Sequence, residues 1–217
     1  MATHPTSGPR QRRNPAERRA HLLEIGVELF GECSFDQLST DQIAERAGIS
    51  RGLLFHYFGS KRGYYVAVIQ EAAARLLERS AAVHDSPAAG DPQRAQLEIF
   101  LGFVEENAGL YTLLMRGGVG VDRQIQAIVD ESRDILARRA APWSKAGNDS
   151  RGHGVGPERL ALVAWTGAVE AAALEWADQR HRRIDTLDRR LLAELLIGML
   201  PSALRSTSTS TLLEETA

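Results

Sequence analysis

Two short helical segments joined by a glycine constrain the fold of this chain more than any other feature. Ser39 is a helix-capping residue type, and Gln42, three positions later, completes a capping box that predicts a helix. Gly48 can adopt the left-handed conformation that ends such a helix, and Ser50 then caps a second helix that runs to Phe58. We therefore predict a helix-turn-helix from Ser39 to Phe58.

The side chains of this segment divide into an inward and an outward set. Ala44 is small where two crossed helices approach closely. The residues expected in the core are all apolar: Ile43, Ile49, Leu54, Phe55 and Phe58. The outward set is rich in hydrogen-bond donors: Thr40, Ser50, Arg51, Gly52, His56, Tyr57 and Lys61. The segment thus predicts a small folded unit with one polar, donor-rich face.

Helical periodicity continues through the rest of the chain, without the sustained two-residue alternation of half-buried strands, so we predict an all-α fold. In the first helix, the face that we expect to be buried comprises Ala20, Leu23, Val27 and Phe30. Further helices are expected at about 15–32, 61–84, 92–107, 109–116, 119–140, 157–180 and 186–204. The predicted organisation is a flexible basic arm (1–14), a helix-turn-helix domain (15–62), a larger helical body (63–205) and a flexible tail (206–217).

Charge is distributed unevenly along the 217 residues, whose formal net charge is -2. Residues 1–62 hold 9 Lys and Arg against 7 Asp and Glu, so the remaining residues carry -4. A basic head on an acidic body suits a local contact with nucleic acid and argues against indiscriminate coating of it. The arm arginines Arg10, Arg12 and Arg13 either reach DNA or form a solvated tail.

The head motif resembles that of a known family. The run Ala-Glu-Arg-Ala-Gly-Ile-Ser-Arg-Gly at residues 44–52, followed by Leu-Phe-His-Tyr-Phe-Gly-Ser-Lys at 54–61, is similar to the DNA-binding head of TetR-type transcriptional regulators. The detailed match covers about residues 22–69, and the remainder agrees only in the number and length of helices. Three positions depart from the pattern: Ser34 stands for a glycine, Phe55 for a tyrosine, and Arg62-Gly63 for acidic residues.

The resemblance implies that the third helix enters the major groove of double-stranded operator DNA. Arg51 would pair with a guanine or touch a phosphate, Gly52 would let the backbone approach, and Leu53 would meet a thymine methyl. The residues expected to contact phosphates are Thr40, Ser50, His56, Tyr57 and Lys61. His56 and Tyr57 have the alternative of being ordinary surface aromatics. The implied function is a repressor released from a palindromic operator by a small-molecule effector.

In this family the effector lies among the fourth to eighth helices of the chain. The candidate ligand-binding residues are Phe103, Tyr111, Met115, Arg116, Trp143, Trp165 and Glu170, each with plain core packing as the alternative. Because the set is mainly apolar, we expect a hydrophobic or amphipathic ligand. Glu170 needs a partner on an otherwise apolar helix. It would bind a cation, pair with an arginine across a dimer, or face water.

The last two helices carry surfaces that predict a homodimer. Gly167 and Ala171 leave a flat stripe, and a ridge follows on the final helix at Leu187, Leu191, Leu195 and Met199. Exposed on a monomer, these would form a large apolar patch, which usually marks an interface. Two-fold symmetry would match a palindromic operator. Packing within one subunit is the alternative.

Two other functions compete with that of a DNA-binding regulator. For an enzyme, the six histidines and Cys33 show no metal-ligand spacing, and no catalytic motif is found, so we expect no enzymatic activity, metal or cofactor. The other rival is a helical interaction protein that does not bind DNA. The hydrogen-bond donors on the outward face of the helix-turn-helix argue against it. A cytoplasmic location is expected, and the apolar stretch 160–177 is read as a buried helix and not a membrane span because it contains Glu170 and Glu175.

Overall fold

The computed structural model describes residues 14–32, 37–84, 91–115, 122–140, 157–182, 184 and 187–199. Within these residues the chain forms nine helices and no strand, which confirms the all-α prediction. The helices are α1 (Pro15–Glu32), α2 (Thr40–Arg46), α3 (Arg51–Phe58), α4 (Lys61–His84), α5 (Pro92–Glu106), α6 (Ala108–Met115), α7 (Arg123–Ala140), α8 (Pro157–His181) and α9 (189–199).

The head consists of α1, α2, α3 and the first half of α4 around one apolar core. The core residues include Leu22, Leu23, Leu29, Phe30, Ile43, Leu54, Tyr64 and Val68. Tyr64 crosses this core and donates its hydroxyl to the carbonyl of Leu22 over 2.5 Å. Ala20, which we expected to be buried, is exposed. Leu23 and Phe30 are buried as predicted, whereas the buried face of α1 also includes Leu22, Ile25 and Leu29 and does not extend to Ala20.

The body packs α5, α6, α8 and α9 around a second core. Its buried residues include Leu101, Val104, Tyr111, Trp165, Ala173, Trp176 and Leu196. Two tryptophans fasten α8 to the following segment, because Trp165 donates its indole N–H to the carbonyl of Leu196 and Trp176 donates to that of Leu187. Trp165 and Trp176 therefore hold the α8–α9 hairpin in one arrangement.

Helix α4 runs from the head into the body. Its first half lies in the head core, and its second half packs against α5 and α7. Buried Ser80 near its end donates to Gln96 of α5 over 2.6 Å, and Gln96 donates back to the carbonyl of Ser80 over 2.7 Å. Helix α4 thus runs without interruption from the head to its contacts with α5 and α7.

Two helix starts differ from those predicted, for the same reason. Helix α7 begins at Arg123, not at 119, because the Asp122 carboxylate accepts the backbone N–H of Gln124. Helix α9 begins at 189, not at 186, because Asp188 accepts the N–H of Leu191. Aspartate is a strong N-cap residue, and the predicted helix starts did not take these two caps into account. The predicted arm up to Arg13, Ser34, Arg116, Trp143 and the tail lie outside the described residues.

Candidate nucleic-acid interface and effector site

The turn between α2 and α3 is built by local hydrogen bonds. The Ser39 hydroxyl accepts the N–H of Gln42, and the Gln42 side chain accepts the N–H of Ser39, which is the predicted capping box. The Ser50 hydroxyl accepts the N–H of Leu53 over 3.2 Å and opens α3. Gly48 has a φ of 63°, a conformation that costs glycine little. These contacts confirm the helix-turn-helix and direct the start of α3 outward.

The structure leaves the residues predicted for DNA contact on the surface of the head. Ser50, Arg51, Gly52 and His56 are exposed. The half-buried members of the set are Thr40, Leu53, Tyr57 and Lys61. Tyr57 packs against the head core, so a contact to DNA would be made by the part of its side chain that stays exposed. The eight residues lie on α2, α3 and the start of α4, and their role in binding DNA stays a prediction.

Arg51 has two contacts on the protein surface. Its guanidinium lies 3.6 Å from the carboxylate of Asp41 on α2 and 5.4 Å from the centre of the Phe55 ring. Both charged side chains are more than half exposed, so the ion pair contributes less than about 1 kcal/mol and DNA can displace it. Asp41 is not among the residues predicted for the DNA-contacting surface. Phe55 is half-buried beneath Arg51, so its predicted core position holds only in part.

The junction of α3 and α4 explains one departure from the family pattern. Ser60 caps α4, because its hydroxyl accepts the N–H of Gly63 over 2.9 Å. A Cβ atom at position 63 would lie 2.2 Å from the carbonyl oxygen of Phe58, closer than two such atoms can approach. Glycine is therefore required at this junction, and it sets Lys61 at the first position of α4.

Arg62 ties this junction to the body. It donates to both carboxylate oxygens of Asp122, over 2.6 and 2.9 Å. The hydrogen bond holds the pKa of the Asp122 carboxyl below its usual value and that of Arg62 above it. Since Asp122 also caps α7, the beginnings of α4 and α7 are fixed to each other. In the sequence Arg62 stands out only as a departure from the family pattern, since its partner lies 60 positions away and no local signal connects the two.

Two small cavities lie in the body, with volumes of about 50 and 70 Å³. Phe100, Arg133, Leu136 and Glu170 line both of them and so lie between them. The larger cavity is also lined by α4, through Ile69, Ala72, Ala73 and Leu76. Each is below the roughly 300 Å³ at which pockets for drug-sized ligands begin. A ligand must therefore be narrow or move the walls.

The predicted ligand residues divide between the two cavities. Phe103, Tyr111 and Met115 line the larger one, Trp165 lines the smaller one, and Glu170 lines both. Arg116 and Trp143 lie outside the described residues. The indole N–H of Trp165 is already bonded to Leu196, so that residue offers a ligand only its ring. Whether any of these side chains contacts a ligand stays a prediction.

Glu170 has a partner that none of the three expected alternatives included. It accepts from Arg133 of α7 in the same chain over 2.6 Å, and Arg133 also donates to Asp130 over 2.7 Å. The hydrogen bond to Glu170 is the largest cause of a raised pKa of Arg133. Helical spacing places Val129, Arg133 and Leu136 on one face of α7, but it does not specify which helix that face meets.

The predicted dimer surface is apolar and exposed. Gly167 and Ala171 are exposed on α8, and Leu187, Leu191, Leu195 and Met199 are each 45–52% exposed. Leu160, Val163 and Ile184 are exposed as well, by 52–58%. Together with the four ridge residues, they make up the large apolar side chains that stand out as exposed in the described part of the chain. That concentration on α8 and α9 supports an interface there.

One stretch of α8, Leu160–Arg180, has the length and a mean hydropathy of 1.2 that would permit a membrane span. The Glu170–Arg133 ion pair and the packing of α8 against α5, α6 and α7 are those of a helix within a folded body. In the described part of the chain, no group of three or more His, Cys, Asp or Glu side chains is placed to hold a metal ion.

Comparison with known proteins gives consistent matches in both parts of the chain. Residues 22–68 match the family model of bacterial regulatory proteins of the tetR family, and residues 91–198 match the tetracyclin repressor-like C-terminal domain. The transcriptional activator FasR of Mycolicibacterium smegmatis is 31% identical over 114 residues, about half of either chain (52%).

Two further comparisons cover more of the chain. The transcriptional regulator RutR of Escherichia coli K12 is 26% identical over 74% of this chain and 76% of its own. A solved tetR-family regulator from Streptomyces coelicolor is 28% identical, with a TM-score of 0.71 over 91% of this chain and 85% of its own.

Proposed function

The chain belongs to the TetR family of DNA-binding transcriptional regulators, and we propose that it is a homodimeric repressor released from a palindromic operator by an apolar small molecule. The observation that carries this proposal is the exposed, donor-rich start of α3 joined through α4 to the cavities of the body. Repression is the direction proposed for this chain, although the relative FasR is named an activator.

Binding to DNA would use the surface around the start of α3. The exposed Arg51 has a weak surface ion pair with Asp41 and a contact with the Phe55 ring, and it would exchange the ion pair for a base edge or a phosphate. Lys61 lies at the N-terminus of the 24-residue helix α4, where the helix dipole favours an anion such as a phosphate. Two heads related by a dimer axis would occupy half-sites about 34–36 Å apart, one helical turn of DNA.

Release by an effector would act through α4 and α7. Both helices line the larger cavity, and both begin at the head, where Arg62 and Asp122 join them. Because the cavity is small, a ligand that enters it pushes these helices apart or rotates them. The two operator half-sites have a fixed spacing. A displacement of a few ångströms at each head would therefore move the two copies of α3 out of alignment with them. By thermodynamic linkage, bound DNA would then lower the affinity for the effector by the same factor by which the effector lowers the affinity for DNA.

A gel-shift assay on the DNA beside the protein's own gene tests the proposal. The full chain is expected to shift that fragment at nanomolar concentration and to leave an unrelated fragment of equal length unshifted, in line with typical specific affinities of about 10⁻⁸–10⁻¹¹ M. A promoter–reporter fusion gives the direction, since deletion of a repressor raises reporter output. Equal binding to both fragments would contradict the proposal, and lower output on deletion would make the protein an activator.

A further inference from the structure

The larger cavity is lined by Tyr111, whose polar group has no partner in the described part of the chain. The side chain of Tyr111 is only 4% exposed, and its hydroxyl has no hydrogen-bond partner among the described residues. Burial raises the pKa of this phenol, and the charge of Glu170 adds to the rise, so the hydroxyl stays protonated and can donate. Buried polar groups are nearly always paired, so this donor is free for a ligand.

The other uncharged polar side chains around the two cavities are occupied by the protein itself. Gln96 exchanges two hydrogen bonds with Ser80. Thr166 donates to the carbonyl of Leu162, and Ser132 donates to that of Ile128. Apart from Tyr111, Arg133 and Glu170, the remaining lining is apolar or, at Trp165, has its N–H bonded within the protein. Tyr111 is therefore the uncharged side chain in this lining that can donate a hydrogen bond to a ligand without breaking one among the described residues.

The two charges between the cavities cancel each other. An anionic ligand would have to take Arg133 from Glu170, and a cationic ligand would have to take Glu170 from Arg133. Either exchange would leave a partly buried charge without its closest partner, because the two side chains are only 34% and 21% exposed. Breaking such a pair is costly, whereas an uncharged ligand leaves it intact.

From these observations we propose that the effector is an uncharged, narrow, largely apolar molecule with a hydrogen-bond acceptor that receives the Tyr111 hydroxyl. The inference rests on the proposed function, since it concerns the effector of the same site. An alcohol, ketone or ester on an alkyl chain has the required chemistry. Its chain would pass Phe100 and Leu136, which line both cavities, and so join the two spaces.

Three probes that share an eight-carbon chain separate the possible head groups: 1-octanol, octanoate and octyltrimethylammonium. Calorimetric titration of the full-length protein is expected to show 1-octanol binding at least about tenfold tighter than either ion, a difference of about 1.4 kcal/mol. Tyr111→Phe should weaken 1-octanol binding roughly three- to tenfold, the effect of one hydrogen bond. Tyr65→Phe is the matched control, because Tyr65 is 1% exposed and lines neither cavity.

A second variant tests the role of the ion pair. Glu170→Gln preserves shape but removes the closest charged partner of Arg133 and leaves it the exposed Asp130, so octanoate should gain affinity relative to 1-octanol. Tightest binding of either ion to the wild type, no binding of 1-octanol, or unchanged 1-octanol affinity in Tyr111→Phe would overturn the inference. The gel-shift assay needs no ligand. A protein that shifts its operator but ignores 1-octanol therefore refutes this inference and leaves the DNA-binding function standing.

Discussion

Arg51 and Lys61 each begin a helix, yet they would face different parts of the duplex. Arg51→Ala should cost roughly 1–3 kcal/mol per half-site on the preferred operator and much less on operators altered at the contacted base pair. Lys61→Ala should weaken all sequences about equally and reduce the salt slope by about one counterion per subunit. Titrations on a small operator library at several salt concentrations measure both effects.

Arg79→Ala is the control for this comparison. Arg79 is an exposed arginine on α4, about 27 Å from Lys61 by the rise of an α-helix. It should leave both affinity and salt slope unchanged. A uniform loss across the library for Arg51→Ala would make Arg51 a phosphate contact and transfer base reading to Gly52, Leu53 and the arm.

Gly52 offers a separate test of how closely DNA approaches α3. A Cβ atom placed there meets open space, with its nearest neighbour, the Ser50 hydroxyl oxygen, at 4.0 Å. Gly52→Ala should therefore fold normally and gain up to about 0.5–1 kcal/mol of stability from the lower chain entropy of alanine. Operator affinity should fall roughly tenfold or more, at least about 1.4 kcal/mol, because the added methyl meets the DNA. Thermal denaturation and a gel-shift titration on one sample measure the two effects, and unchanged affinity would rule out close approach at this position.

At the scale of elements, the contact of Arg62 with Asp122 joins α4 to α7 beside the head. Charge alone predicts that Asp122→Asn tightens binding to DNA, since it removes a negative charge. If the contact positions the head, the same variant should instead weaken operator binding, roughly threefold to tenfold, about 0.7–1.4 kcal/mol.

Asp134→Asn, an exposed carboxylate on the same helix, is the matched control for Asp122→Asn. It should tighten binding slightly or leave it unchanged. Equal behaviour of the two variants in a gel-shift titration would show that Asp122 acts only through its charge.

The helices were predictable where their signals are local. The Ser39 capping box and the Ser50 cap gave the head its boundaries, because both act within three residues. Asp122 and Asp188 were local signals as well, and they were overlooked. Arg133 was not available in the same way, since it meets Glu170 across 37 residues of sequence. Its pairing depends on how α7 packs against α8, which helical periodicity does not specify.

At the scale of the whole molecule, the exposed apolar surface of α8 and α9 predicts the homodimer. Leu191→Glu should dissociate the dimer in sedimentation experiments and abolish operator binding, because one head alone keeps about half of the contacts. Ala74→Glu places the same charge on an exposed position of α4 and should leave the dimer intact. A wild-type protein that sediments as a stable monomer at micromolar concentration would contradict this prediction.

The central claim, a dimer that reads DNA through two copies of α3, is tested most directly by selecting bound sequences from a random duplex library with the full-length protein. Enrichment should yield an inverted repeat whose half-sites are centred about 34–36 Å apart, one helical turn, or a multiple of that spacing. The enriched base identities should relax at one position per half-site with Arg51→Ala. Recovery of no enriched sequence, or of a single site without two-fold symmetry, would contradict the claim.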